Sequence, residues 1–155
     1  MIPMIREGKD ILVGKTLSKV HGFAGLRMAY AIGSQKVINE LNQYRPWAFG
    51  VSGTAYQAAM ISLEDKDHIK EIVKRTNEIK SNTVTSLQSM GYKPFLSYTN
   101  FLMFPIEQEG NVFVKTMADK GVALRSWNFN NQNYCRVSIG TKEDMELFLG
   151  AMKSL

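Results

Sequence analysis

The chain has 155 residues, of which 45% are hydrophobic and 21% are charged, and its formal net charge is +5. This composition is typical of one globular domain or of two small lobes, and it excludes the intrinsically disordered class. The single cysteine, Cys135, excludes an internal disulfide and a cysteine-based zinc cluster, and two histidines are too few for a histidine-rich metal site. No apolar run is long enough for a transmembrane helix, and residues 1–10 do not resemble a signal peptide, so we expect a reduced, cytoplasmic protein.

The first third of the chain predicts a helix end, two strands and a loop. Residues 1–5 are followed by a polar run at 6–10 that contains Gly8, and then by a short apolar strand at 11–13. This pattern is typical of the end of a helix that turns at a glycine and leads into a strand. Residues 16–25 are small and polar and predict a loop, whereas residues 26–33 predict a buried strand that contains one arginine, Arg27. A domain rarely begins with the tail of a helix, so we expect further sequence upstream.

Three helices are predicted in the middle of the chain. Ser34 is placed to cap the first of them. The second, at residues 52–63, is rich in small residues and should pack closely on its neighbours. The third, at residues 67–90, is the longest periodic element, and Gly91 should end it. Lysines alternate with acidic residues on its other face, which is typical of a solvated helix surface.

The last third of the chain predicts alternating strands and helices. Gly121 should end the first of these helices, and Thr141, followed by Asp144, should start the second with a capping box. The predicted elements are strands at residues 100–105, 122–125 and 134–139, helices at 111–120 and 142–153, and a turn at 128–133.

Residues 14–19 contain three chemical patterns, of which two fail. A phosphate-binding loop would need a glycine at position 9, where Lys9 stands, and the intervening residues form an apolar strand. A Ser/Thr-x-x-Lys nucleophile pair is present from Thr16 to Lys19. Glycines follow that pair too soon for the helix it should open, and its partner motifs are missing.

The third pattern is a lysine, Lys19, in a loop of serine and glycine residues that follows a strand. A desolvated lysine amine is a Schiff-base nucleophile, and pyridoxal phosphate chemistry needs such a lysine together with a cradle for the cofactor phosphate. The hydroxyl of Ser18, the amides near residues 22–25 and the guanidinium of Arg27 could form that cradle. The alternative interpretation is that Arg27 pairs with a structural carboxylate and that Lys19 is solvated.

Two arginines near the end of the chain are candidate anion-binding groups. Arg136 lies in the middle of a predicted strand, which favours a side chain aimed into a site, although a solvent-facing arginine is the alternative. Arg125 lies at a predicted strand end, where exposed charges are common. Three aromatic residues could line a pocket, although core packing is the favoured interpretation: Trp127, Phe129 and Tyr134. The remaining reactive side chains are given no chemical role: a buried Cys135, a loop His21 and a surface His68.

A resemblance to a known family rests first on residues 16–30, which have the sequence TLSKVHGFAGLRMAY. This segment closely resembles the cofactor-lysine segment of fold-type I aminotransferases, and it is most similar to the histidinol-phosphate aminotransferase branch. The pattern of that branch is Thr-x-Ser-Lys-x-x-Gly-x-Ala-Gly-Leu-Arg-x-Gly-Tyr, from which Ala29 departs by one methyl group. The resemblance continues through RPW at residues 45–47, SYTNF at 97–101, GVALR at 121–125 and CRVSIGT at 135–141, and so extends over the whole chain.

The resemblance implies roles for five residues. Lys19 would form the Schiff base with pyridoxal 5′-phosphate and shuttle the proton. Ser18 and Arg27 would bind the cofactor phosphate, and Arg136, with Arg125, would hold the acidic group of the substrate.

The resemblance also implies an α/β fold in two parts. Residues 1–63 would be the end of the large, cofactor-binding domain, and residues 64–155 would be the interdomain helix and the small α/β C-terminal domain. Family members are much longer, and their other half carries the ring that stacks on the cofactor and the aspartate that pairs with its pyridine nitrogen. We therefore expect this chain to be the carboxy-terminal half of such an enzyme, inactive by itself.

The implied activity is amino-group transfer between a donor such as histidinol phosphate and 2-oxoglutarate, in histidine biosynthesis. The resemblance further implies a cytoplasmic homodimer that acts on small molecules, with no nucleic-acid or membrane partner. One alternative is an inactive truncated chain that serves as a folded interaction domain. The other is a basic nucleic-acid-binding domain, which the alternation of lysines with acidic residues disfavours.

Overall fold

The computed structural model describes residues 1–44 and 50–155, so the motif at residues 45–47 lies outside the described residues. The chain forms two compact units, unit 1 (Met1–Ile72) and unit 2 (Val73–Leu155). The elements in chain order are α1 (Ile2–Arg6), β1 (Leu12–Thr16), β2 (Ala29–Gly33), α2 (Gln35–Gln43), α3 (Gly53–Glu64), α4 (Lys66–Ser89), β3 (Phe101–Ile106), α5 (Gly110–Asp119), β4 (Arg125–Phe129), β5 (Gln132–Ser138) and α6 (Lys142–Lys153). The boundary between the units falls inside α4, and the assignment of residues 1–63 and 64–155 to two family domains stays a prediction.

Unit 1 contains a two-stranded antiparallel sheet, in which Thr16 at the end of β1 lies opposite Ala29 at the start of β2. Most residues of both strands are exposed. The buried core of unit 1 is small, and its members among the described residues are Leu17, Met28, Ala55 and Ala59. The two alanines lie one turn apart on α3, where small side chains allow close packing, as the sequence predicts.

Two predicted signals in unit 1, the Ser34 cap and the turn at Gly8, are confirmed. The Ser34 hydroxyl accepts a hydrogen bond from the amide of Val37 at 3.4 Å and caps α2. A second serine cap stands at the start of α3, where Ser52 accepts from the amide of Ala55 at 3.2 Å. The short α1 is followed by Gly8 at a φ of 80°, a left-handed conformation that favours glycine.

Unit 2 contains a three-stranded antiparallel sheet with the order β3-β5-β4. Alternate residues of β3 are buried (Leu102, Phe104 and Ile106), which is the pattern of a sheet with one covered face. Helical side chains from α4, α5 and α6 join these residues in one core. Its thirteen buried members are Leu87, Leu102, Phe104, Ile106, Phe113, Met117, Val122, Cys135, Val137, Met145, Phe148, Ala151 and Met152.

Two predicted helix termini in unit 2 are confirmed. The long helix α4 ends before Gly91, which has a φ of 89°, and the amide of Tyr92 donates to the carbonyl of Leu87 at 3.0 Å. Helix α6 begins with the predicted capping box. The amide of Asp144 donates to the Thr141 hydroxyl at 3.2 Å, and the amide of Thr141 donates to the Asp144 carboxylate at 2.8 Å. Within the described residues, no helix combines the length and apolar character needed to span a bilayer.

The strand predicted at residues 122–125 is wrong, because β4 begins only at Arg125. Gly121 has a φ of 81°, and the amide of Val122 donates to the carbonyl of Met117 at 2.9 Å. This six-to-one hydrogen bond belongs to a Schellman motif that closes α5. Val122 therefore belongs to the end of the helix, and sheet pairing starts only at Arg125.

The turn predicted at residues 128–133 is shorter than expected. Only Asn130 and Asn131 lie between the two strands, with φ angles of 51° and 62°. Two successive left-handed residues are typical of a type I′ hairpin turn, and asparagine tolerates this conformation. Strand β4 consequently continues to Phe129, and β5 begins at Gln132. Every residue of β4 is therefore paired with a residue of β5.

Candidate active site

The lysine predicted to be chemically active lies in the loop that joins the two strands of unit 1. The amide of Leu17 donates to the carbonyl of Met28 at 3.0 Å, so the two ends of the loop meet directly above the last strand pair. Leu17 is 1% exposed and belongs to the core, whereas Lys19 is exposed. The loop is thus anchored at its base and presents the amine of Lys19 to solvent.

Hydrogen bonds within the loop fix the backbone on both sides of Lys19. The amide of Gly22 donates to the carbonyl of Lys19 at 2.9 Å, and the amide of Phe23 donates to the carbonyl of Leu17 at 3.0 Å. On the other side, the amide of Ser18 donates to the Thr16 hydroxyl at 3.1 Å, and that hydroxyl donates to the Ser18 hydroxyl at 2.8 Å. Ser18 and Lys19 are therefore adjacent polar groups on an ordered turn.

A histidine to which the sequence assigned no role ties this loop to helix α3. Nδ1 of His21 lies 2.8 Å from the hydroxyl of Ser62, and the pair is partly buried. The two residues are 41 positions apart, so no local sequence pattern indicates the contact. His21 is the loop residue that sequence reasoning missed.

Arg27 does not lie where the sequence predicts it. It stands in a turn before β2, which begins at Ala29, and its side chain is exposed instead of buried in a strand. Its φ of 52° is left-handed, which is uncommon for a residue that carries a Cβ, and its Nη1 donates to the carbonyl of Ala24 at 3.0 Å. Strand pairing ends at the Thr16–Ala29 pair, and this is the physical reason that Arg27 falls in the loop.

One part of the alternative interpretation is confirmed, because Lys19 is exposed to solvent and not desolvated. Its other part, a structural carboxylate paired with Arg27, is not observed among the described residues. None of the ion pairs formed by the described residues includes Arg27. Left-handed non-glycine residues cost roughly 1–3 kcal/mol and cluster at ligand-binding sites. Ser18, Lys19 and Arg27 therefore lie in the same connection between β1 and β2, and no carboxylate of the described residues pairs with the Arg27 guanidinium.

The two other predicted arginines lie opposite each other in unit 2. In the register of β4 and β5, Arg125 is the partner of Arg136. Arg125 is exposed and Arg136 is half-buried. Like charges directly opposite each other on neighbouring strands destabilise a sheet, so this pair favours an anion bound between the two guanidinium groups.

The face that carries these arginines is the one opposite the core. Cys135 and Val137 on β5 point into the core, and Arg136 between them points away from it. The guanidinium carbon of Arg136 lies 4.1 Å from the ring centroid of Phe101 and 5.9 Å from that of Trp127.

Three aromatic residues for which core packing was the favoured interpretation lie outside the core. Trp127 and Tyr134 are half-buried partners on β4 and β5, and Phe129 is 52% exposed. The ring centroids of Phe129 and Tyr134 are 6.0 Å apart. The expectation of core packing is wrong because Tyr134 alternates with the buried Cys135 along β5, and the β4–β5 register places Trp127 and Phe129 on the same outer face as Tyr134.

The predicted burial of Cys135 and the predicted surface position of His68 are confirmed. Cys135 is completely buried, and burial raises the pKa of its thiol to about 12, so that the thiolate is not formed near neutral pH. His68 is exposed on α4. Neither residue lies among the candidate site residues.

Comparison with known proteins agrees with the sequence motifs. The chain is 33% identical over 151 residues to histidinol-phosphate aminotransferase 2 of Legionella pneumophila (strain Lens), which covers 97% of this chain and 41% of that protein. A crystal structure from Erwinia carotovora atroseptica, provisionally named as a histidinol-phosphate aminotransferase, matches 98% of this chain and 44% of its own chain, with a TM-score of 0.90 and 27% identity.

A second crystal structure is that of histidinol-phosphate aminotransferase from Sinorhizobium meliloti in complex with pyridoxal-5′-phosphate. It matches 92% of this chain and 40% of its own chain, with a TM-score of 0.80 and 23% identity. The chain thus spans less than half the length of these relatives. The fold is the mixed α/β fold of fold-type I aminotransferases, as the sequence predicts. The family described as Aminotransferase class I and II matches residues 2–152, which is nearly the whole sequence, and this chain belongs to that family.

Proposed function

We propose that this chain carries the lysine and the acid-binding arginines of a pyridoxal-phosphate-dependent aminotransferase. The observation that carries the proposal is the hydrogen-bonded loop between β1 and β2, which contains a half-buried Ser18 together with an exposed Lys19 and an exposed Arg27. The family supports the reaction type and the cofactor. The names of the relatives support an amino donor such as histidinol phosphate, and we propose 2-oxoglutarate as the acceptor.

The chemistry of the loop fits pyridoxal phosphate. The cofactor, when bound, supplies an aldehyde for an amine and an electron-withdrawing ring, and it carries a phosphate that needs hydrogen-bond donors. The exposed amine of Lys19 suits the aldehyde, and the Ser18 hydroxyl and the Arg27 guanidinium suit the phosphate. No carboxylate among the described residues competes for Arg27, so its charge stays available.

Each loop residue then has a defined task. Nζ of Lys19 would hold the cofactor, and the same amine would act as the acid and base that moves a proton at the reacting carbon of the substrate. Hydrogen bonds at the carbonyl of Lys19 and the amide of Ser18 hold the lysine backbone in one place during both tasks. Arg27 would balance the charge of the cofactor phosphate and donate hydrogen bonds to it.

The arginine pair of unit 2 suits the acidic group of the substrate. A guanidinium presents two parallel N–H groups that match the oxygens of a phosphate or a carboxylate. Two such groups on paired residues, Arg125 and Arg136, are well matched to a doubly charged anion. Arg136→Lys should therefore raise the KM for the acidic substrate in the complete enzyme and leave cofactor binding intact. An equal loss of cofactor affinity would contradict this role.

The proposal includes the setting of the reaction. We propose a place in histidine biosynthesis, a cytoplasmic location and a homodimeric assembly, as is general for the family. Binding of nucleic acid is not supported, because lysines on three helices pair with acidic residues of the same helix, as in Lys70 with Asp67 and Lys115 with Asp119.

Reductive labelling tests the assignment of Lys19. The chain is incubated with one equivalent of pyridoxal phosphate, reduced with borohydride and mapped by mass spectrometry of its peptides. We expect label at Lys19 in preference to the other lysines, lost in Lys19→Ala and retained in Lys15→Ala, a matched exposed lysine on β1. Pyridoxal, which lacks the phosphate, should label Lys19 with a weaker preference than pyridoxal phosphate does. In Arg27→Gln, the two aldehydes should show the same preference for Lys19.

Two results would contradict the assignment. One is a label spread evenly over the lysines and unchanged by Lys19→Ala. The other is an equal preference for pyridoxal and its phosphate in the unsubstituted chain, which would leave Ser18 and Arg27 without a role.

The 155-residue chain by itself should not catalyse transamination. No side chain described here is assigned to stack on the cofactor ring or to pair with its pyridine nitrogen, and without these groups the negative charge that forms at the substrate carbon is poorly stabilised. The measurement is a coupled assay of the purified chain with histidinol phosphate and 2-oxoglutarate. Turnover of about 1 per second or more, in the ordinary enzyme range, and abolished by Lys19→Ala, would show that the expectation is wrong.

A further inference from the structure

The register of the unit 2 sheet places an aromatic side chain on each side of Arg136. Arg136 is opposite Met103 on β3 and opposite Arg125 on β4. Phe101 is two residues from Met103 and Trp127 is two residues from Arg125, so both are diagonal neighbours of Arg136 on the same face of the sheet. The backbones of such diagonal neighbours are about 7–8 Å apart across the two strands, which is within reach of aromatic and long side chains.

The distances show that these contacts are made. The guanidinium carbon of Arg136 is 4.1 Å from the centroid of the Phe101 ring, well inside the range of about 6 Å for a cation–π contact. Trp127, at 5.9 Å, lies at the limit of that range. Nε of Arg136 is buried and has no hydrogen-bond partner among the described residues.

Carboxylates do not hold this guanidinium in place. The ion pairs formed by the described residues include neither Arg136 nor Arg125. A carboxylate partner would neutralise the guanidinium and compete with an anionic ligand. An aromatic face orients the guanidinium plane and leaves its charge and its in-plane N–H groups free for a ligand.

We propose that Phe101 and Trp127 are positioning residues that hold the guanidinium of Arg136 in the orientation needed to bind an anion shared with Arg125. The inference rests on the proposed function, in which this arginine pair holds the acidic group of the substrate. Phe101 has the larger effect because its ring is closer. Repulsion from Arg125 would otherwise turn the flexible Arg136 side chain away from the anion.

The test measures the orientation of Arg136 and anion binding in the 155-residue chain. With ¹⁵N-labelled protein, the Nε–H signal of Arg136 is followed by NMR without ligand and during titration with inorganic phosphate at constant ionic strength. We expect a resolved signal with slow solvent exchange, because Nε is buried. Phe101→Leu should speed that exchange and weaken phosphate binding about fivefold, and Trp127→Leu should weaken it about twofold.

Conservative and matched variants separate positioning from loss of fold. Phe101→Tyr keeps the ring and should retain both the signal and the affinity. Phe129→Leu removes an exposed ring of β4 that packs on Tyr134, 6.0 Å away, and should change neither property. If Phe101→Leu does not fold, Trp127→Leu and Phe101→Tyr still decide the outcome, and the unfolding temperature of each variant is the check.

The outcomes distinguish this inference from the proposed function. Phosphate binding that depends on Arg136 and Arg125 but is unchanged by the loss of either ring would overturn the positioning role and leave the arginine anchor intact. Phosphate binding that does not depend on the arginines, or no binding at all, would contradict the anchor, and the positioning role would fail with it. A fivefold loss in Phe101→Leu that Phe101→Tyr does not show supports the inference.

Discussion

The two units of the chain bury apolar surface to very different extents. Unit 2 has thirteen buried core residues, among them three phenylalanines, which come from the strands β3 and β5, from three helices and from Val122. The described residues of unit 1 include four core residues, of which two are alanines, and a sheet of two strands that are mostly exposed. A two-stranded sheet is marginally stable by itself in water. Unit 2 is thus stabilised by its own packing, whereas the lysine loop of unit 1 depends on hydrogen bonds and a few contacts at its base.

The largest expected difference between the units is their response to loss of a core side chain. Phe104→Ala in unit 2 should lower the free energy of unfolding by about 3–5 kcal/mol, because it leaves a cavity in a closely packed core. Leu17→Ala in unit 1 should cost about 2 kcal/mol, since fewer atoms surround the side chain. Hydrogen exchange checks this. The amides of β3 and β5 should lose protection in the first variant, and those of β1 and β2 in the second. If each variant lost amide protection equally in both sheets, the comparison between the units would be contradicted.

The tight packing of unit 2 can also be tested by adding an atom. A Cβ at Gly110, the first residue of α5, would lie 2.7 Å from the hydroxyl oxygen of Ser126 and 2.8 Å from its Cβ. Gly110→Ala should therefore destabilise the protein by about 2 kcal/mol. Ser126→Gly removes both clashing atoms and should restore most of that loss in the double variant, measured by denaturant unfolding. Gly53→Ala, at the start of α3 in unit 1, has open space around it and is the matched control.

The buried thiol of unit 2 should make stability depend on pH. The folded-state pKa of Cys135 is raised to about 12, whereas an unfolded cysteine has a pKa of about 8.5. Above the unfolded value the unfolded chain loses a proton that the folded chain keeps, so the stabilising effect is complete below about pH 8.5 and declines as the pH rises. The expected loss is about 1.4 kcal/mol at pH 9.5.

Cys135→Ala isolates this contribution, because its stability should decline less between pH 8 and 9.5 than that of the unsubstituted chain. Identical slopes in denaturant unfolding would show that the thiol is not protected by burial. Alkylation by iodoacetamide at pH 8 should likewise require unfolding.

The smallest expected effect compares one helix cap in each unit. Thr141→Ala removes the capping box of α6, which carries four buried residues, and should cost about 1 kcal/mol of global stability. Ser34→Ala removes the cap of α2, which has no buried residue, and should fray that helix without a measurable change in the unfolding of unit 2. Amide exchange in α2 and thermal unfolding monitored in unit 2 separate the two cases. A global loss from Ser34→Ala would contradict the comparison.

The sequence by itself determined those features whose cause lies within a few residues. Ser34 and Thr141 cap helices because a hydroxyl reaches an amide three residues ahead, and Gly91 ends a helix because only a residue without a Cβ adopts that conformation freely. The loop of Lys19 was recognisable for the same reason, since its polar residues and glycines are contiguous in the chain.

Only the tertiary structure decided the features that depend on pairing between distant residues. Pairing between strands determines that Arg27 lies outside β2, which begins at Ala29, and that β4 begins at Arg125. Local strand propensity does not show either boundary. The β4–β5 register then placed Arg125 opposite Arg136, and the β3–β5 register brought Phe101 to its side. A shift of one residue in either strand would turn the side chains of that strand to the opposite face of the sheet. Register is set by the whole buried face and the hairpin turn, so it is not contained in any local stretch of the sequence.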